Sequence, residues 1–339
     1  MNAKNTVAIL GAGRIAHVHA ESLNRYAQNV TVKYIIDPYM DDKMRKWAET
    51  MNISYAENDS ARMFADREVD SVFICSPTPT HCDYILKACE SGKNVYCEKP
   101  LDSDIRRIYK AMEAVEKSGI KFLMGFMRRF DISQQKMKDI IASRKVGAPQ
   151  IIKLCSRDPA LPPYGYIKTS GGIYFDSMIH DFDLARYFSD SEVVEVYAAG
   201  NALIDPQVGE LGDVDTAAAL LKFESGAIGL IDLSRQSNCG YDQRTEVHAS
   251  KGFVQVGNVP ESSVIVNNEH GVTHDRPVYF FLERYEQAFV NAQHTFFDIV
   301  NKDKEPPVTM YDGLQAVRIA KAARTSYLEN RPVKLSEIE

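Results

Sequence analysis

Val7-Ala-Ile-Leu10 is a short apolar run that leads into Gly11-Ala-Gly13-Arg14-Ile15-Ala16. The run, its glycine-punctuated turn, and Ile15, Val18 and Leu23 at helical spacing read as strand, tight turn and helix. The turn fits G-x-G-x-x-G/A in the one context where that pattern has a mechanism. Gly11 permits the turn, Gly13 lets the backbone approach a pyrophosphate with no Cβ in the way, and Ala16 allows close helix packing. Behind them the helix start, from Arg14 and Ile15 onward, offers unbonded N–H groups and a positive dipole end. A dinucleotide fits this arrangement.

The alternation continues downstream. Residues 32–36, 71–75, 94–97 and 121–125 read as strands, and residues 42–51, 80–91 and 102–117 as helices. Apolar strands separated by amphipathic helices imply a doubly wound parallel sheet covered on both faces. Asp37 closes the second strand twenty-four positions after Gly13, near the roughly twenty expected of an acid that bonds the ribose hydroxyls. Its charge repels a 2′-phosphate and no arginine adjoins it, which favours NAD over NADP; Lys43 and Arg45 follow a little later. Ser76, Glu98 and Lys99 leave strand ends on the ligand edge of such a sheet and join Gly11, Gly13, Arg14, Ile15 and Asp37 as candidate cofactor contacts. His81, at a helix start, reads as a surface or capping residue.

Beyond about residue 147, strand-like segments follow one another at 150–156, 193–200, 216–223, 227–233, 245–249 and 253–256. A helix is expected at 175–188 and two more at 283–301 and 311–329. The fold class read from this order is α/β: an N-terminal dinucleotide-binding domain over 1–125, then an α+β domain over 126–339 built on a large, mostly antiparallel open sheet. The C-terminal helix is expected to pack back toward the first domain.

Composition narrows the function classes. The 339 residues carry 40 basic and 46 acidic side chains, a formal net charge of −6, with no long basic run, which points away from nucleic acid. No apolar stretch is long enough for a bilayer, and no secretory core follows Met1-Asn-Ala-Lys4, so a cytoplasmic location is expected. The six cysteines form no Cys-x-x-Cys pair and read as reduced thiols without catalytic duty.

One segment of the second half is rich in chemistry: Gly171-Gly172-Ile-Tyr-Phe-Asp176-Ser-Met-Ile-His180-Asp-Phe-Asp183. On a helix, Asp176, His180 and Asp183 share a face. An imidazole with a reference pKa of about 6.5 can take a proton from an alcohol when a carboxylate orients it. The same spacing also suits a solvated polar helix face. No third ligand at a metal spacing accompanies the pair, so no metal is expected. Lys99, between Glu98 and Pro100, is a candidate to favour alkoxide character on a reacting oxygen.

Gly11–Ala16, Tyr96-Cys-Glu-Lys-Pro100 and the Gly171–Asp183 segment resemble the glucose–fructose oxidoreductase/inositol dehydrogenase (Gfo/Idh/MocA) family over nearly the whole chain. Gly125–Asp131, Ser156–Pro159, Gly212–Asp215 and Gly240–Arg244 look most like its inositol 2-dehydrogenases. The resemblance implies Lys99, Asp176 and His180 as the catalytic trio, with His180 the proton acceptor, NAD as cofactor, and a homotetramer built on the open face of the second sheet. It also implies Arg128, Asp158 and Tyr241, with Lys99, Asp176 and His180, as substrate contacts, although Arg129 and Arg157 could exchange roles with their neighbours.

The reading that follows is NAD-dependent oxidation of a secondary ring hydroxyl of a cyclic polyol, foremost myo-inositol to 2-keto-myo-inositol. A sugar or glycoside oxidised at another carbon, such as C3, with tightly held NAD is the alternative. It draws on the aromatic residues of Gln293-His-Thr-Phe-Phe297 as a stacking platform, although core packing is the favoured reading of that segment. A non-enzymatic sensor of the NADH/NAD ratio needs only the fingerprint.

Overall fold

The structure, a computed structural model, describes residues 4–339. The chain divides into two compact units. The first runs to Phe130 and adds Gln287–Gln315; the second comprises Asp131–Glu286 and Ala316–Glu339.

In the first unit, β1 (Asn5–Leu10), α1 (Arg14–Tyr26), β2 (Val30–Ile36), α2 (Asp42–Thr50), β3 (Tyr55–Glu57), α3 (Ala61–Ala65), β4 (Ser71–Ile74), α4 (His81–Glu90), β5 (Asn94–Glu98), α5 (Ile105–Ser118) and β6 (Phe122–Gly125) follow in order. The six strands are all parallel, in the order β3-β2-β1-β4-β5-β6. Strand order reverses between β1 and β4, so the ligand edge lies at their carboxyl ends. Val7 to Leu10 and Val72 to Ile74 are fully buried, which explains why these strands are apolar on both faces. The helix expected from residue 102 begins at Ile105, because the Asp104 side chain caps it by accepting from Arg106 N.

The second unit holds α6 (Ile132–Ala142), β7 (Pro149–Arg157), α7 (Tyr164–Thr169), α8 (Ile173–Asp176), α9 (Ile179–Ser189), β8 (Val193–Asn201), α10 (Pro206–Glu210), β9 (Thr216–Phe223), β10 (Ile228–Ser234), β11 (Asp242–Ala249) and β12 (Gly252–Val256). Along the chain then come a hairpin of β13 (Ile265–Asn268) and β14 (Gly271–His274), α11 (Phe281–Lys302), α12 (Met310–Glu329) and β15 (Val333–Lys334), with residues 287–302 of α11 and 310–315 of α12 counted in the first unit. Seven strands pair as β12-β11-β7-β10-β9-β8-β15, antiparallel except for β7 with β10. Ala217, Ala219, Leu221 and Phe223 are buried on one face, whereas Tyr197, Ile228 and Leu230 stay exposed on the other. That alternation marks a sheet with one uncovered side.

Gln287–Gln315 differs from a single cut at residue 125, and its contacts show why it belongs to the first unit. Met124 N donates to Val308 O at 3.1 Å, and a Cβ on Gly313 would stand 2.6 Å from Leu101 Cδ1. The Phe296 ring lies 5.4 Å from Phe73 and 6.0 Å from Tyr96. Phe296 and Phe297 are therefore core residues, the packing role favoured for that segment over a stacking platform. Among the described residues, no helix is long and apolar enough to cross a membrane; residues 1–3, on which the missing secretory core partly rests, lie outside them.

Candidate active site

On the first unit, the glycine turn has the form its sequence foretells. Gly11 sits at φ +103°, and a Cβ there would stand 2.7 Å from Cys75 O, a backbone atom that cannot yield. Gly13 has an ordinary φ of −79° and nothing within 4 Å of its Cβ direction, so the space before α1 is open. No side chain caps α1 at Gly13, and the N–H groups of Arg14 and Ile15 start the helix there. Asp37 accepts from Ala12 N and Tyr39 N, both at 2.9 Å, which ties the end of β2 to the turn. Arg45 donates to Ala56 O and to Asn58 Oδ1, so its guanidinium is engaged at β3. A cradle that a Cβ would fill, beside an acid whose nearby arginine is occupied, fits NAD.

Ser76 is half-buried, with its hydroxyl 2.6 Å from Thr80 Oγ1. Glu98 ends β5, buried, with its carboxylate 2.8 Å from His19 Nε2; Lys99 follows, half-buried. His81 is not on the surface: it is 1% exposed, with Nδ1 2.8 Å from Pro100 O and Nε2 2.7 Å from Ser76 O. Burial lowers its pKa, while the carbonyls of Ser76 and Pro100 and the charges of Glu98 and Asp102 oppose that. Arg128 and Arg129 are both buried on the short turn after β6, and Arg129 Nη2 donates to Asp312 Oδ1 at 2.9 Å.

On the second unit, the helix expected over 175–188 is two helices. Met178 N donates to Ile173 O at 2.9 Å, a wide closing turn that ends α8 before α9 begins at Ile179. Asp176 and His180 thus come from successive helices, and the one-face geometry of a continuous helix does not apply. Asp176 Oδ1 accepts from Tyr166 OH at 2.7 Å, and Oδ2 lies 3.4 Å from both Nη1 and Nη2 of Arg235. His180 is 8% exposed on α9. Its neighbour Asp181 accepts from Ser156 Oγ at 2.6 Å, and Asp183 is buried. Asp213 Oδ1 accepts from Ile173 N at 2.9 Å, and Gly172, at φ +89°, leaves just the room that carboxylate needs.

Asp158 is half-buried beyond β7, its N–H donating to Ser234 O. Arg157 is engaged with Asp232 at 2.6 Å. Tyr241 is buried, its ring edge-on to Phe280 and Tyr285. Sequence reasoning passed over Arg235, Tyr166 and His19, read His81 as a surface or capping residue, and named Gln293 only within an aromatic segment. Arg235 did carry a signal, since it directly follows β10 at a strand end; the others differ in nothing local from structural residues.

Residues 5–126 match a model of the oxidoreductase family with an NAD-binding Rossmann fold, and residues 134–255 match the GFO/IDH/MocA C-terminal domain. The chain belongs to the Gfo/Idh/MocA oxidoreductase family. It is 40% identical to a myo-inositol 2-dehydrogenase of Thermotoga maritima, across 98% of this chain and 99% of that one. Identity is also 40% to an uncharacterized oxidoreductase of Bacillus subtilis, YrbE, across 100% and 99%. A crystal structure of Lactobacillus casei scyllo-inositol dehydrogenase with bound NAD(H) and scyllo-inositol superposes with a TM-score of 0.92 at 30% identity, covering 98% of this chain and 99% of that one. This Gfo/Idh/MocA member is an NAD-dependent dehydrogenase acting on CH–OH groups.

Proposed function

We propose that the protein oxidises a secondary ring hydroxyl of a cyclic polyol, foremost myo-inositol to 2-keto-myo-inositol. The observation that carries this reading is end-to-end identity of 40% with a chain named myo-inositol 2-dehydrogenase. Bound NAD supplies a hydride acceptor for the carbinol carbon. The remaining work falls to side chains. Lys99 donates a hydrogen bond to the reacting oxygen and favours alkoxide character there. His180 takes the hydroxyl proton, and Asp176 holds substrate and imidazole in register. Arg128, Asp158 and Tyr241 contact the other hydroxyls. Arg129, which donates to Asp312, and Arg157, which pairs with Asp232, are the neighbours that could take these roles instead. Gly11, Gly13, Arg14, Ile15, Asp37, Ser76, Glu98 and Lys99 hold the cofactor.

A homotetramer formed through the uncovered side of the seven-stranded sheet, working in the cytoplasm, completes the proposal. Steady-state NADH production with myo-inositol, scyllo-inositol, glucose and simple glycosides tests it. Turnover of inositols above the sugars is expected, and inertness toward every cyclic polyol sinks the reading.

A further inference from the structure

Lys99 stands between two residues that buried histidines hold. Before it, the Glu98 carboxylate is 2.8 Å from Nε2 of His19, which is fully buried on α1. The opposite nitrogen of that ring, Nδ1, lies 2.9 Å from Gln293 Nε2, and the Gln293 carbonyl oxygen accepts from Ser22 Oγ at 2.9 Å. The His19 carbonyl, which can only accept, lies 3.5 Å from the same Nε2 and fixes which way the amide points. The amide N–H then leaves Nδ1 as acceptor and Nε2–H as the donor to Glu98. Phe73, Tyr96 and Phe289 ring the imidazole edge-on, with centroids 4.9–5.5 Å away, and give it no room to turn. After Lys99, the Pro100 carbonyl is 2.8 Å from His81 Nδ1, and the same ring reaches Ser76 O.

Four buried side chains bonded in series inside an apolar core hold one another in a single arrangement. Both lines of contact end beside one lysine. We propose that His19 and His81 are positioning residues for Lys99, His19 acting through the Glu98 carboxylate and His81 through the Pro100 carbonyl. The inference rests on the placing of Lys99 at the reacting oxygen.

The two ring nitrogens allow a paired test, because an asparagine amide nitrogen imitates Nδ1 and a glutamine amide nitrogen imitates Nε2. At residue 81, H81N places an amide N–H toward Pro100 and H81Q places one toward Ser76. At residue 19, H19Q keeps the donor toward Glu98 and H19N only the contact to Gln293. Displacing an aligned group by an ångström costs on the order of 100-fold in rate. The expected result is kcat about tenfold or more higher in H81N than in H81Q, and in H19Q than in H19N, with NADH affinity similar within each pair. In the NADH-saturated enzyme, acylation of Lys99 relative to Lys87, read by mass spectrometry, should separate the same pairs without any substrate. Matching values within both pairs, in rate and in labelling, overturn the proposal. If one position gives insoluble variants, the other decides. If the wild-type enzyme turns over no polyol, the proposed reaction fails, while the labelling still judges the histidines.

Discussion

Nη1 and Nη2 of Arg235 both lie 3.4 Å from Asp176 Oδ2, so the carboxylate assigned to the reaction has its own buried counter-ion. A negative charge matched in this way does little to raise the basicity of a neighbouring imidazole; its value lies in a fixed direction. Truncating one member of a buried pair strands the other, at a cost of about 3–5 kcal/mol. R235M is therefore expected to lose that much stability in urea unfolding and to lower kcat steeply, with R235K recovering part of both. Wild-type kcat in R235M would remove Arg235 from the apparatus.

The two glycines of the cofactor turn should separate cleanly. G11A drives a Cβ onto Cys75 O at a positive φ, so it is expected to lower the melting temperature and cofactor affinity together. G13A meets nothing in the protein and should melt like the wild type, yet bind NADH about tenfold or more weakly, a loss of roughly 1.4 kcal/mol. Fluorescence titration with NADH beside thermal scans of both variants checks the contrast.

Removing the Asp37 charge lifts a repulsion toward a 2′-phosphate worth about 1–3 kcal/mol. D37S should raise the ratio of NADP to NAD in kcat/KM by roughly tenfold to a hundredfold. Most of that change is expected from loss of NAD activity, because Arg45 stays bonded to Ala56 and Asn58. An unchanged cofactor ratio would place Asp37 outside the ribose site.

His17 stacks on Trp47 with centroids 3.8 Å apart and planes 6° from parallel. Burial lowers its pKa from the usual imidazole value of 6.5, Lys43 adds to that and Glu21 opposes it. The folded state thus binds this proton less readily than the unfolded one. The contribution to stability is present above pH 6.5 and is lost as pH falls through the lowered pKa. Trp47 is the one tryptophan in the sequence, so its emission should be quenched on acidification with a midpoint below 6.5. H17Q should abolish the transition.

Much of the architecture was legible because β1, β4 and β5 are apolar on both faces and their helices carry one apolar stripe. The short pieces β3, α3 and α10 were not, since three to five residues show no period. The break between α8 and α9 escaped notice for another reason: it is a wide closing turn, Met178 N to Ile173 O, in a stretch from Ile173 to Ile179 that holds no glycine or proline to mark it. The glycine turn, Asp37 and Glu98 could be read as a ligand edge from their strand ends. Gln293 could not, because its partner His19 is 274 positions away, and Arg235, although it follows a strand end, could not be matched to Asp176 across 59 positions.

The division of the chain sets a schedule for its biosynthesis. Gln287–Gln315 completes the first unit but leaves the ribosome only after the strands of the seven-stranded sheet up to β12. The nascent dinucleotide unit must wait, with the core around Phe73 and Tyr96 lacking Phe296, while some 150 further residues are made. A ribosome stalled near residue 280 would hold an open, sticky half-core, and chaperone capture should peak there.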